Sequence, residues 1–177
     1  SGRGAELGVL FRKGVALELL ARVDRVVLDK TGTLTLGRPE LTELLPGEGF
    51  TEDEVLRLAA AAEASSEHPL GRAIVAAADA RGLVPPEASE VSAEPGHGLK
   101  ATVEEHTLLL GSARHLEREG VELAEVEETL ATLSARARTP VLVAIDGRLA
   151  AVLGIADPLK EEAPEALAGL HDLGLKL

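Results

Sequence analysis

Apolar and polar residues follow two rhythms along this chain, and the changes of rhythm mark its elements. Ala5 to Ala21 mixes apolar and charged residues at helical spacing, with weak points at Gly8 and Gly14, which predicts one or two short helices. Arg25-Val26-Val27-Leu28 is an apolar run of strand type, and Leu41 to Leu45 a second one, closed by Pro46-Gly47. Thr51-Glu52-Asp53-Glu54 has the form of a capping box, opening a helix through the alanine-rich Leu58 to Ala64. Pro69 suits the first turn of another helix, Leu70 to Arg81, ended by Gly82. Strand-like runs follow at Ser89–Ala93, Leu99–Glu104 and Thr107–Leu110, then a short helix reaching Glu119 and an amphipathic helix from Leu123 to Ala137. Pro140–Ile145 and Arg148–Leu153 flank Asp146-Gly147, the signal of a hairpin with a type I′ turn. Asp157-Pro158 reads as an N-cap with proline in the first turn, leading to a last helix from Lys160 to Leu173. Strands and helices alternate at both ends. The middle is antiparallel in character, with helices expected on one side.

Composition narrows the chemistry. Aromatic residues make up 1% of the 177 residues, so the core must be built from aliphatic side chains and alanine. Cysteine is absent, which removes disulfides and thiolate metal sites, and the five histidines form no i, i+4 pair of the kind that binds zinc. A net charge of −12 disfavours nucleic acid and anionic membrane surfaces as partners. No stretch has the length and apolarity of a membrane span, and no signal peptide is visible.

Asp29-Lys30-Thr31-Gly32-Thr33-Leu34-Thr35 follows the apolar run directly. A carboxylate at a strand end is ionised at neutral pH, and a short glycine-containing loop supplies backbone N–H groups that can hold a phosphoryl group in line with it. Asp29 is therefore a candidate phosphoryl acceptor. Any four residues of this segment would read equally well as a plain turn. The heptad as a whole resembles the phosphorylation signature of the P-type ATPases. That resemblance implies Asp29 as the residue phosphorylated by Mg-ATP, with Lys30, Thr31 and Thr33 beside it and Asp29 and the Thr31 carbonyl as part of a Mg²⁺ site. Soluble phosphatases of the same superfold usually carry a second Asp two residues after the nucleophile. Thr31 stands there and cannot act as an acid or base near neutral pH, which favours a persistent acyl phosphate over a phosphatase.

Glu63-Ala64-Ser65-Ser66-Glu67-His68-Pro69-Leu70 places two carboxylates and an imidazole between two predicted helices. Side chains there can converge on a ligand: a carboxylate accepts an exocyclic amine, and an imidazole stacks on or hydrogen-bonds a purine. Alone, a His-Pro pair is an ordinary capped helix start. Beside the phosphorylation motif, it is similar to the His-Pro signature of the heavy-metal-transporting P-type ATPases. The resemblance implies an ATP site formed by Glu63, His68, the Gly96-His97-Gly98 turn with Leu99, and Gly111-Ser112, where Ser112 replaces the family's common Asn. It also implies a fold of the α/β plus α+β kind. A partial Rossmann-like (haloacid dehalogenase-like) phosphorylation domain, residues 1–36 and 156–177, would be interrupted by a nucleotide-binding domain over 37–155 with an antiparallel sheet flanked by helices.

The implied cofactors are ATP and Mg²⁺. The implied partners are the remaining phosphorylation, actuator and transmembrane domains of a membrane pump, with a metal ion bound elsewhere. Family texture points to Cu⁺, and a zinc or cadmium pump or a soluble phosphatase with a cap insertion are the alternatives. The family's later motifs (Thr-Gly-Asp, a phosphate-binding Lys, Gly-Asp-Gly-x-Asn-Asp) do not occur up to Leu177. The chain alone is thus expected to bind ATP without becoming phosphorylated.

Overall fold

The structure is a computed structural model, and it describes residues 2–6, 8–10, 13–94, 96–123 and 126–177. The chain forms two compact units, residues 36–158 and the flanking segments 1–35 with 159–177.

The larger unit is built on one antiparallel sheet. Its strands are β1 (Glu40–Pro46), β2 (Ala88–Glu94), β3 (Gly98–Val103), β4 (His106–Gly111), β5 (Thr139–Ile145) and β6 (Arg148–Ala156), in the spatial order β1-β6-β5-β4-β3-β2. Two helices, α3 (Glu52–Glu63) and α4 (Pro69–Ala80), pack on one face. The expected capping box is present: the Thr51 hydroxyl accepts the Glu54 N–H and the Glu54 carboxylate accepts the Thr51 N–H. Val55, Leu56, Ala59 to Ala62 and Ile74 meet Leu108, Leu110, Val143 and Leu153 there in an aromatic-poor core. Small alanines let α3 lie close to the sheet, and each fully buried Leu or Ile contributes on the order of 1.5–3 kcal/mol.

Helices lie on both faces of the sheet, not one. The second face carries α5 (Ala113–Arg118) and α6 (Glu127–Ala135), whose Leu116 and Leu133 join Leu109, Leu142, Ala144 and Val152 in a separate core. Successive strand residues point to opposite faces. Unbroken apolar runs such as Leu108-Leu109-Leu110 and Val141–Ile145 therefore feed both cores, and such runs require cover on both sides. The helix α6 starts at Glu127 rather than Leu123, although Leu123 and Val126 still pack on the second core.

The hairpin turns differ in how they are written. Asp146-Gly147 joins β5 to β6 with both residues at positive φ, 50° and 76°, as the sequence predicts. The β3–β4 turn uses Glu104 and Glu105 at φ 48° and 70°, a conformation that L residues other than Asn and Asp seldom adopt. Arg57 on α3 holds the Glu104 carboxylate through two hydrogen bonds, 2.9 and 2.7 Å. Glu105 has no such brace among the hydrogen bonds of the described residues, so Glu105→Gly should stabilise the protein by about 1 kcal/mol in urea denaturation.

The smaller unit contains α1 (Gly2–Glu6), α2 (Gly14–Leu20) and α7 (Ala163–Asp172). The expected strand at Arg25–Leu28 is reduced to one parallel bridge, Arg25 to Lys176. Val26 N–H donates to the Lys176 carbonyl and Lys176 N–H to that of Asp24. An extended segment becomes a strand only with a ladder on which to pair, and Val27 stays 90% exposed. Asp157 is not a helix cap. Its carboxylate accepts the Arg38 N–H at 3.0 Å, and α7 begins later, with Pro164 in its first turn. Among the described residues no helix is long and apolar enough to cross a membrane.

Candidate nucleotide site and phosphoryl-acceptor loop

A cavity of about 540 Å³ opens on the larger unit, within the size range of small-molecule sites. The structure brings all the residues expected at an ATP site to its walls: Glu63, His68, Gly96, Gly98, Leu99, Gly111 and Ser112. Val91, Ala93, Leu110 and Val141 add apolar surface, and Glu67, Glu94 and His97 add polar groups.

Three local structures set the walls. Glu63 ends α3, and its carbonyl accepts the Ser66 N–H, turning the chain toward α4. His68 is the N-cap of α4: its Nδ1 accepts the Leu70 N–H at 3.2 Å, while its own N–H donates to the Ser66 hydroxyl at 3.2 Å. With Nδ1 an acceptor, the proton of the neutral ring belongs on Nε2. Burial pushes the Glu63 carboxyl above its ordinary range, opposed by the Ser66 hydroxyl and the nearby His68 imidazole. A raised carboxyl binds its proton more tightly in the folded than in the unfolded chain. Its contribution to stability therefore falls as pH rises from the unfolded pKa through the folded one, and at neutral pH the charged group opposes folding. A ligand group that donates to this carboxylate would offset that cost.

The second wall is the β2–β3 turn. His97 N–H donates to the Glu94 carbonyl at 3.0 Å and the His97 carbonyl accepts the Ser112 N–H at 3.1 Å, which ties the turn to the start of α5. Gly98 pairs directly with Gly111 across β3 and β4. Behind that pair lies His115, buried at 4% exposure, whose Nε2 has no hydrogen-bond partner among the described residues. The Ser112 hydroxyl caps α5 by accepting the His115 N–H at 3.3 Å. On the outer side, Arg118 binds the Glu94 carboxylate and holds it below the usual range.

Sequence reasoning missed two supports here. A Cβ at Gly71 would collide with the Glu63 carboxyl group, so a glycine in the first turn of α4 makes room for that carboxylate. A glycine inside a helix costs about 1 kcal/mol against alanine, and that cost was the available signal. His115 had none, because burial is a tertiary property.

In the smaller unit Asp29, Lys30, Thr31 and Thr33 are all exposed. Thr31 (φ −75°, ψ 121°) and Gly32 (φ 75°, ψ −12°) have the angles of a type II turn, whose third position favours glycine. Thr35, 2% exposed, braces the turn from within: its hydroxyl accepts the Gly32 N–H and donates to the Lys30 carbonyl, each at 3.1 Å. Lys160, which carries no expected role in the chemistry, donates from Nζ to the Gly32 carbonyl at 3.0 Å. The loop is fixed by these bonds, while the Asp29 carboxylate stands at its exposed entrance.

Residues 23–177 match the haloacid dehalogenase-like hydrolases, and the chain belongs to that family. Within it, the whole chain is 47% identical to a copper-transporting ATPase of Rhizobium meliloti, covering 21% of that protein. Among solved structures, a zinc-transporting PIB-type ATPase in the E2·Pi state superposes with a TM-score of 0.81 at 35% identity, over 94% of this chain and 27% of that one. The N-domain of HMA6, a copper-transporting P-type ATPase, gives 0.56 at 33% identity, over 67% of this chain and 99% of that one. The chain thus spans about a fifth of the length of the curated relatives it matches.

Proposed function

We propose that this chain is the ATP-binding and phosphoryl-accepting segment of a copper-exporting P-type ATPase. The observation that carries the reading is the convergence of Glu63, His68, Gly96, Gly98 and Gly111 on one cavity, in a chain that also carries the Asp29 loop. Residues 37–155 serve as the nucleotide-binding domain, and residues 1–36 with 156–177 belong to the phosphorylation domain. The Glu63 carboxylate accepts the exocyclic amine of adenine, and His68 lies against the base. Apolar walls from Leu99, Leu110 and Val141 exclude water from it.

In the complete pump an Asp29 carboxylate oxygen attacks the γ-phosphorus, the bond to the β–γ bridging oxygen breaks, and ADP leaves. The Thr35 and Lys160 bonds hold the loop still during that attack. Thr31 supplies no general base, so the acyl phosphate survives to be used. Mg²⁺ neutralises charge on the transferred phosphate when bound. Asp29 and the Thr31 carbonyl are oxygen donors of the kind it takes, but they fill only part of an octahedral shell. No cluster of three or more metal-ligating side chains occurs among the described residues. Phosphate oxygens, water and other parts of the pump would have to supply the remaining ligands; actuator and transmembrane domains are the segment's further partners. The segment then works on the cytoplasmic side of a cell membrane. Copper is favoured as the cargo because curated relatives at 44% to 47% identity are named for it.

Calorimetric titration should show saturable ATP binding by this chain. Incubation with Mg²⁺ and γ-labelled ATP should leave it unlabelled, whereas the full-length transporter should gain a hydroxylamine-sensitive label that Asp29→Asn abolishes. Absence of ATP binding would refute the assignment, and a label on Asp29 in this chain alone would refute the division of labour.

A further inference from the structure

Three carboxylates, Glu63, Glu67 and Glu94, line the cavity, and its described lining residues include no Lys or Arg. Such a lining accepts a neutral base and repels a phosphate chain. Among the described residues, Glu94 is the one of the three held in an ion pair. Glu94 is bound by Arg118, and the His97 and His115 imidazoles lie near enough to lower its carboxyl further. His97 belongs to the same turn and lines the same cavity. Its backbone is pinned on both sides, to Glu94 and to Ser112, so the position of the residue is set before a ligand arrives. The other imidazole of the wall, His68, is committed through Nδ1 to capping α4 and lies beside Glu63.

We propose that His97 is a nucleotide-contacting residue that donates a hydrogen bond to the first phosphate, and that Arg118 permits this contact by neutralising Glu94. The idea rests on the nucleotide reading above and deepens it: the cavity distinguishes a nucleotide from a nucleoside through one imidazole on the β2–β3 turn. A neutral imidazole suffices, since one ring nitrogen always carries a proton. Arg118 acts at one remove, as a positioning and charge-compensating residue.

The test is a ladder of ligands, adenosine, AMP and ATP, titrated calorimetrically into this chain and its variants, with circular dichroism to confirm folding. In the wild type AMP should bind more tightly than adenosine. In His97→Ala the ratio of AMP to adenosine affinity should fall about tenfold, the scale of one hydrogen bond to a charged group. His97→Arg should restore the ratio or raise it. Arg118→Ala should lower it, because Glu94 then faces the phosphate uncompensated. An AMP-to-adenosine ratio unchanged by His97→Ala overturns the proposal, as does a wild type that binds both ligands equally. Both of those outcomes leave the nucleotide assignment standing. A wild type that binds neither adenosine nor ATP brings down both.

Discussion

Gly98→Ala should lower the affinity for ATP by at least tenfold and the melting temperature by roughly 5–10 °C, the latter corresponding to about 2–3 kcal/mol of overpacking. The added Cβ would overlap the Leu110 carbonyl on the neighbouring strand, 2.6 Å from His115 Cδ2 and 3.0 Å from the Gly111 Cα. Two of those three obstacles are backbone, and the third is a buried ring. Relief requires opening the Gly98–Gly111 pair, which is the floor of the cavity. Gly96→Ala is the informative contrast. A Cβ there meets nothing within 4 Å among the described residues, and its penalty is a φ of 78°, so the loss should be about 1 kcal/mol. The two glycines of one motif therefore serve different physical ends: one permits a turn, the other a close approach. Thermal melts and calorimetry of both variants decide the matter. Equal effects from the two substitutions would mean that the β3–β4 pair yields easily.

That distinction also shows where the sequence is legible. Elements whose signals are local could be read: the Thr51 capping box, Pro69 opening α4, and Asp146-Gly147 in its turn each meet a backbone requirement within a few consecutive residues. The Glu104-Glu105 turn was not legible, since its strain is tolerated through Arg57, 47 positions distant in sequence. The second layer of helices is a different case. Period-two patterning vanishes when both faces of a strand are buried, so the unbroken Leu108-Leu109-Leu110 run is itself the sign of cover on both sides, which the expectation of helices on one side overlooked. For the site, residue types and spacing named most of the cavity wall. The supports of that wall were harder to read, because Gly71, Arg118 and His115 act through contacts between separate elements, and of the three Gly71 alone left a signal, as a glycine inside a helix. Lys160 is a similar case in the acceptor loop, 128 positions from the carbonyl it holds.

Replacing His68 by two different residues separates its two duties. His68→Ala removes both the acceptor for the Leu70 N–H and the ring in the cavity. It should cost about 1 kcal/mol of stability, the usual value of an N-cap. Loss of the ring contact and its hydrogen bond should weaken ATP binding by about tenfold or more. Asparagine is a favoured N-cap whose side-chain oxygen can accept the same N–H, yet it has no ring to place on a purine. His68→Asn should therefore melt within about 2 °C of the wild type while binding ATP as weakly as the alanine variant. Glu63 sharpens the comparison, because its carboxylate is already held at a cost by burial. If the base is lost, that carboxylate loses the donor that would offset the cost, and at equal concentration ATP should then stabilise both variants less than the wild type in a thermal shift. A His68→Asn protein that recovers full ATP affinity along with its stability would reduce His68 to a cap, and the adenine contact would have to be sought among Leu99, Leu110 and Val141.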